Sequence, residues 1–380
     1  MKASWSLKPL GEVCTLQRGF DLPTKDRRQG PFPLVSSSGV IDTHDEGPVS
    51  GPGVVTGRSG SIGNVFYIEQ NFWPLNTTLY VRNFFGNDPR FVHYLLTKFD
   101  LKRFAGGTGV PTLNRNDVHA ILVLATLDVD EQRRIVAILD EAFEGITTTR
   151  ANVEKNLQNA HALFESHLDA MLSRHAPGYK STNLGAEIDL LAGYAFSSGR
   201  YTGSAQSVRL LRGDNIMQGY LRWDDAKRWP LADCAQHARF DMQDGDVVLA
   251  MDRPWVKAGL KRAQISPTDL PCLLVQRTAR LRPRDALTRG FLFHLTGSRA
   301  FSRHLLSVQT GIGVPHISGK QIESFQFMRP PVADQEGIAA ELDDLQINTE
   351  RLADTYEQKL AALDELKRSL LHQAFSGALA

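Results

Sequence analysis

Three cysteines in 380 residues, Cys14, Cys234 and Cys272, are too few and too far apart for a disulfide framework or for the paired spacings of a zinc site. They read as ordinary thiols of a reducing compartment. The opening MKASWSLKPLGEV lacks the apolar stretch of a signal peptide, and no run approaches the length needed to cross a bilayer, so a soluble cytoplasmic protein is expected. Reactive constellations are missing as well. Gly319 and Lys320 are followed by Gln321 and have no upstream glycine of a phosphate loop, and there is no GxSxG, HExxH or EF-hand pattern. GRSGSIG, from Gly57 to Gly63, resembles a phosphate loop, but the strand-like NVFYI follows it where a helix would be required. The eleven histidines are scattered, and no S-adenosylmethionine pocket, nuclease carboxylate cluster or helicase motif is recognisable. These independent absences favour a metal-free binding protein over an enzyme.

What is present is a diverged second copy. LGEVCTLQRGFDL at Leu10 to Leu22 is echoed by LGAEIDLLAGYAF at Leu184 to Phe196, an offset of 174 residues. GTGVPTLNRNDV at Gly107 to Val118 returns as GIGVPHISGKQI at Gly311 to Ile322, offset by 204, and Gln132 of DEQRRIVAILDE aligns with Gln335 of DQEGIAAELDD at an offset of 203. The second unit has therefore gained a loop of about thirty residues inside the copy, while its ends kept their order. A duplicated module with pseudo-twofold symmetry suits the reading of two half-sites or the holding of two copies of a partner.

Dividing the chain at the repeat boundaries resolves a bland total charge of +1 into alternating segments. Residues 1–127 carry +3, 128–175 carry −4, 176–330 carry +8 and 331–380 carry −6. Basic globular segments imply a polyanionic partner, most often nucleic acid. The β-branched runs VVTGRSGSIGNVFYI, TLYVR, DVVLAM and LLVQRTARLRP read as strands, while PRFVHYLLTKFDLKRFA and RGFLFHLTGSRAFSRHLLSV have apolar residues at helical spacing. Two α+β domains with matching order follow.

The acidic segments read as long helices, each about 40 residues or roughly 60 Å. In the last segment Leu342, Thr349, Tyr356, Leu363 and Leu370 recur every seventh residue, with Leu345, Leu352, Lys359, Leu366 and Gln373 three positions later. In the central segment Leu139, Ile146, Val153, Ala160 and His167 form one row, with Ala142, Thr149, Asn156, Leu163 and Ala170 beside it. An intramolecular antiparallel coiled coil is expected.

Residues suited to nucleic acid recur at corresponding places in both copies. In the first, Lys25, Arg27 and Arg28 crowd one loop, Arg58, Ser59 and Ser61 sit among glycines, and Asn114, Arg115 and Asn116 follow the GVP turn. In the second come Arg209, Arg212, Asp214 and Asn215, then Asp252, Arg253, Trp255 and Lys257, then Gln276, Arg277 and Arg280. His316, Ser318 and Lys320 repeat the position after the turn. For any one of these a solvated surface role is the plainer reading, and it is the recurrence that singles them out.

With the two GVP segments, the paired helix openings DEQRRIVAILDE and DQEGIAAELDD, the tail LDELKRSLLHQAFSG and GRSGSIGNV assembled in order, the chain resembles a type I restriction-modification specificity subunit (S, HsdS-like). It departs from the glycine-rich pattern at AMDRPWVKAGL, Ala250 to Leu260. The resemblance implies two target recognition domains, at 1–127 and 176–330, separated by spacer helices at 128–175 and 331–380. Each domain would read one half of a split, asymmetric DNA target, about one helical turn apart on one side of the duplex. The helices would set the unread spacer and dock two methyltransferase subunits, through which restriction subunits join. S-adenosylmethionine, ATP and Mg would reside on those partners, and none would be bound by this chain. Two other readings stand beside it, a fragment of a fused restriction-methylation enzyme and a two-domain protein-binding scaffold. Complete repeat elements at both ends and the lack of methylase motifs weigh against the fragment.

Overall fold

The computed structural model describes residues 5–99, 101–106, 111–256, 259–310, 314–376 and 378. The fold is α+β, and the chain divides into two units, Met1–Lys155 with Tyr356–Ala380, and Asn156–Thr355. The division cuts through both long helices. Each unit thus consists of one globular region, the opening stretch of the helix that follows it, and the closing stretch of the other helix.

In unit 1 the β-branched segment Gly53–Gly57 is buried along its whole length, as a central strand requires. It is flanked by Val65–Ile68 and Thr78–Asn83, with Thr15–Arg18 beyond the latter, all antiparallel. Helix α1, Pro89–Lys98, buries Phe91, Val92, Leu95 and Leu96 at helical spacing against this sheet. The Asp88 side chain caps it, accepting from the Arg90 and Phe91 amides at 2.8 and 3.0 Å. The short helix α2, Arg115–His119, follows, then a ribbon pairing Trp5–Pro9 with Leu122–Thr126. The ribbon leads into the long helix α3, Val129–Leu172.

Unit 2 repeats this order. Its sheet runs Ile188–Ala192, Thr278–Pro283, Val247–Ala250 and Arg262–Gln264, with the added short strand Gln218–Gly219 at the edge. Where unit 1 has one helix, unit 2 has two, α4 (Arg289–Gly297) and α5 (Arg299–Val308). The short helix α6, Gly319–Glu323, and a ribbon of Lys180–Asn183 with Gln326–Arg329 lead into the second long helix α7, Val332–Ala374. No helix among the described residues is long and apolar enough to cross a membrane.

Identical backbone bonds match the two units residue by residue. Gly19 donates to the Thr78 carbonyl and Gly193 to that of Thr278, while Leu75 donates to Val35 and Val275 to Leu211. Gly57 donates to Asn64 and Ala250 to Lys261; Arg58 donates to Thr77 and Met251 to Arg277. The offset between partners therefore climbs from 174 at Gly19 to 176 at Val35, 193 at Gly57, 200 at Thr78 and 204 at Thr112, the match of His316. The gain is spread over all four intervals, most of it between Val35 and Gly57. The glycine shared by LQRG and LLAG has a steric cause, since a Cβ would sit 2.2 Å from the Leu75 carbonyl oxygen at Gly19 and 2.0 Å from that of Val275 at Gly193.

The long helices pair. Within unit 1, Arg150 meets Asp364 at 2.5 Å and Lys367 lies over the Phe143 ring, so residue numbers rise on one helix as they fall on the other. Within unit 2, His167 meets Glu341 at 3.0 Å. The first expected row holds well on α3, with Leu139, Ile146, Val153 and Ala160 buried. The second row requires correction. Thr149, Asn156 and Leu163 are exposed, and Phe143, Arg150, Leu157 and Phe164, one position later, are the half-buried set. On α7 the shift is the same: Leu352 and Leu366 are exposed, while Ala353 and Leu360 turn inward. Both i+3 and i+4 neighbours share a helix face, and the crossing partner selects between them. At the end of α7, Leu371, Ala374 and Phe375 enter the core of unit 1, where Phe375 packs 5.1 Å from Phe91. Burying that phenylalanine contributes about 1.5–3 kcal/mol.

Each long helix is tied to its own globular region by one fully buried glutamine. Gln132 Oε1 accepts from the Asp88 amide at 2.8 Å, and its Nε2 donates to Asn87 Oδ1 and the Thr126 carbonyl at 2.7 and 2.8 Å. Gln335 does the same with the Thr288 amide at 2.8 Å and the Ala286 and Pro330 carbonyls at 3.0 and 2.8 Å. A second tie lies two turns on. Tyr94 and Arg90 meet Asp140 in unit 1, and His294 Nε2 meets Asp343 at 2.7 Å in unit 2. Burial lowers the pKa of His294, partly offset by Asp343. Replacing Gln132 or Gln335 by leucine strands a buried amide and carbonyl, and should cost at least about 2 kcal/mol of stability in urea unfolding. A change below about 0.5 kcal/mol in both variants would contradict this tie.

Candidate nucleic-acid interface

In unit 2 three chain segments converge on a cleft of about 470 Å³ lined by Tyr201, Arg212, Asp252, Arg253, Lys261, Gln276 and Arg277. Arg212 leaves the end of strand Ser207–Leu211, Asp252 and Arg253 follow the buried strand Val247–Ala250, and Gln276 and Arg277 form the turn before Thr278–Pro283. Three separate stretches of the expected set thus meet at one place. Asp252 binds Arg277 Nε at 3.1 Å through Oδ2 and His316 Nδ1 through Oδ1. Burial lowers the pKa of Lys261 on the cleft wall, with Asp214 opposing the shift.

Backbone strain concentrates here. Among the described residues, three other than glycine have positive φ, and two of them are Arg253 at 46° and Arg277 at 66°. Such conformations cost energy for any residue with a Cβ and are held by surrounding contacts. The Met251 amide bonds to the Arg277 carbonyl at 2.8 Å, and the Arg253 amide to that of Pro315 at 2.9 Å.

Other expected residues of unit 2 are committed to the scaffold. Arg209 donates to the Thr268 and Leu270 carbonyls and lies 4.6 Å from the Trp223 ring centre. Asn215 is buried, with its Oδ1 taken by the Arg212 amide and its Nδ2 by the Arg222 carbonyl. Trp255 bonds Gln309 and packs against the core, and Arg280 is buried against Asp189. Lys320 is exposed in the first turn of α6, which Ser318 caps. Lys257 lies outside the described residues, as do Gly107, Gly109, Gly311 and Gly313 of the two GVP turns.

Unit 1 places Arg18, Arg58, Asn114 and Arg115 around a cleft of about 350 Å³. Ser61 and Lys102 line a neighbouring hollow of about 580 Å³. Ser59 bridges Thr112 as Asp252 bridges His316, so the frame of the two clefts is the same. Asn114 caps α2 by accepting the Asn116 amide at 3.1 Å. The loop of Lys25, Arg27 and Arg28 stands apart from this cleft's lining, with Lys25 exposed, Arg27 half-buried and Arg28 paired to Asp45 and Glu46. Arg18, Lys102, Tyr201 and Lys261 are lining residues that sequence reasoning missed. Only Arg18 carried a signal, as the neighbour of the repeated Gly19.

Among the described residues no three His, Cys, Asp or Glu side chains are grouped to hold a metal. Burial pushes the thiols of Cys14 and Cys272 up to about 12, far from a nucleophile's range.

Comparison with known proteins agrees with this picture. Residues 2–158 match the family model of the type I restriction modification DNA specificity domain. The chain is 35% identical over 169 residues to the Type I restriction enzyme EcoAI specificity subunit of Escherichia coli, covering 44% of this chain and 28% of that protein. It is 20% identical over 289 residues to the MjaVIII specificity subunit of Methanocaldococcus jannaschii, covering 73% of this chain and 66% of the relative. The chain thus spans less than two thirds of the length of either curated relative. A solved chain from work on the assembly and conformational transition of the type I R-M system has a TM-score of 0.80 at 19% identity, over 100% of this chain and 99% of the other. The HsdS subunit from Thermoanaerobacter tengcongensis has a TM-score of 0.61 at 21% identity, covering 100% and 98%. At those identities the likeness is one of fold.

If the strain at Arg253 serves the cleft, Arg253→Gly should raise the stability of the protein by about 1 kcal/mol while weakening its binding to duplex DNA. Thermal unfolding and a binding titration read the two effects. A variant that is destabilised, or that binds DNA unchanged, contradicts a functional origin of the strain.

Proposed function

We propose that this chain is a type I restriction-modification specificity (HsdS-like) subunit, the noncatalytic DNA-recognition subunit of a multisubunit methyltransferase and endonuclease, a reading supported by the family match over residues 2–158 and by the likeness of fold. The observation that carries the reading is the pair of basic clefts, which share one backbone frame and differ in side chains. A module that is repeated in backbone and diverged in side chains is suited to a bipartite, asymmetric DNA target, one half for each globular region. Lysines and arginines would fix each region on phosphates, while a few cleft residues read base edges in the major groove. Arg58, Ser59, Ser61, Asn114, Arg115 and Asn116 are the candidates in the first, with Lys25, Arg27 and Arg28 as flanking phosphate contacts. Arg212, Arg253, Gln276, Arg277, His316 and Lys320 are those in the second.

The paired helices would act as an antiparallel coiled-coil ruler that sets the unread spacer. Segments 128–175 and 331–380 carry −4 and −6, a charge that suits a protein docking face better than a DNA surface. Two methyltransferase subunits would dock there, with restriction subunits recruited through them. S-adenosylmethionine, ATP and Mg would be held by those partners, and the complex would act in the cytoplasm.

Two measurements test the reading. Binding of random duplex DNA by the full chain with its methyltransferase should weaken linearly in log affinity against log salt. Absent or salt-insensitive binding would favour a scaffold that binds only proteins. Replacing residues 176–330 by the corresponding region of another family member should change one half-site and leave the other intact, and a change in both would overturn the modular assignment.

A further inference from the structure

The two clefts share three backbone positions that differ completely in chemistry. Hydrogen-bond matching aligns Asp252 with Ser59, Arg277 with Thr77 and His316 with Thr112. Unit 1 therefore has three hydroxyls where unit 2 has a carboxylate, a guanidinium and an imidazole. Asp252 is the centre of the charged set. One carboxylate oxygen takes Arg277 Nε at 3.1 Å and the other takes His316 Nδ1, so both are engaged from opposite sides. Its side chain is 24% exposed against 71% for that of Arg277. No further ion pair or hydrogen bond of the Arg277 side chain occurs among the described residues. A half-buried anchor thus grips the inner edge of an exposed guanidinium, and its two Nη groups are left available.

We propose that Asp252 is a positioning residue that presents the Nη fork of Arg277 to the O6 and N7 acceptors of a guanine in the half-site read by unit 2. The inference rests on the DNA-recognition reading and names the base class that this cleft takes. A free arginine samples many rotamers, and pinning Nε to a carboxylate leaves the paired N–H groups parallel, the geometry that matches a guanine edge in the major groove. The left-handed backbone at Arg277 aims the side chain, and the Met251 amide holds it there through the Arg277 carbonyl. His316 fixes the second oxygen of Asp252, so the carboxylate cannot rotate away without breaking two contacts. Thr77, with no guanidinium, gives unit 1 no such reader at the corresponding place.

The test is selection of bound duplexes from a random-sequence library by the full chain with its methyltransferase. The half-site belonging to unit 2 is identified as the one that changes when residues 176–330 are replaced. Arg277→Ala should reduce the preference for one guanine in that half-site by roughly tenfold or more, with every other position and the other half-site unchanged. Asp252→Asn should reduce the same preference at the same position, because the arginine loses its anchor. Arg277→Lys should fail to restore it, since a point charge lacks the fork. A merely structural role would instead weaken all positions together and lower the unfolding temperature. An Arg277→Ala profile that keeps the guanine, or a loss spread evenly over both half-sites, overturns the proposal. If the unaltered protein enriches no sequence at all, the DNA-recognition reading itself fails.

Discussion

One buried carboxamide per unit does more than any other group to define how this chain is built. Gln132 and Gln335 each sit in the first turn of a long helix, where amide donors lack intrahelical partners, and each bridges that turn to the cap of a helix in the preceding globular region. A side chain held on three sides by two elements leaves the helix little freedom to swing against its domain. The ties of Tyr94 to Asp140 and of His294 to Asp343 add a second point of attachment, and two points define a direction. A leucine would bury as much apolar surface and fix nothing. The polar contact is what specifies the angle, because an unpaired amide or carbonyl in that place is costly.

Around this fixed joint the two copies have diverged unevenly. Backbone bonds at Gly19, Leu75, Gly57 and Arg58 recur at Gly193, Val275, Ala250 and Met251, so the frame of each cleft is retained. Side chains on that frame differ, with hydroxyls in one copy and an Asp–Arg–His set in the other. Inserted residues fall mainly between Val35 and Gly57, where unit 2 adds a strand at the sheet edge away from the frame. Divergence on a constant frame is how a duplicated reader would acquire two different targets without losing its joint to the helices.

Much of this was legible in the sequence wherever the cause is local. Strands of β-branched residues, the first helical rows and the length of both long helices follow from spacing and from neighbours in the chain. What escaped is set by distant residues. The companion rows of α3 and α7 fall one position later than expected, because the choice between i+3 and i+4 belongs to the crossing helix. Arg209 and Asn215 read as surface donors, yet Arg209 is held by carbonyls some sixty positions away, at Thr268 and Leu270. The Asp252–His316 contact spans 64 positions, and no local pattern announces it. Lys102 and Lys261 line hollows only because the sheet brings them there.

We propose that the helix pair measures out the distance between two independent readers. Inserting four residues after Ala160 adds about 6 Å of helix, roughly two base-pair steps along the duplex. Mapping modified bases in cells that express the variant with its methyltransferase reports half-sites and spacer together. The account predicts a longer unread spacer between two unchanged half-sites. An active variant whose spacer is unchanged would contradict it.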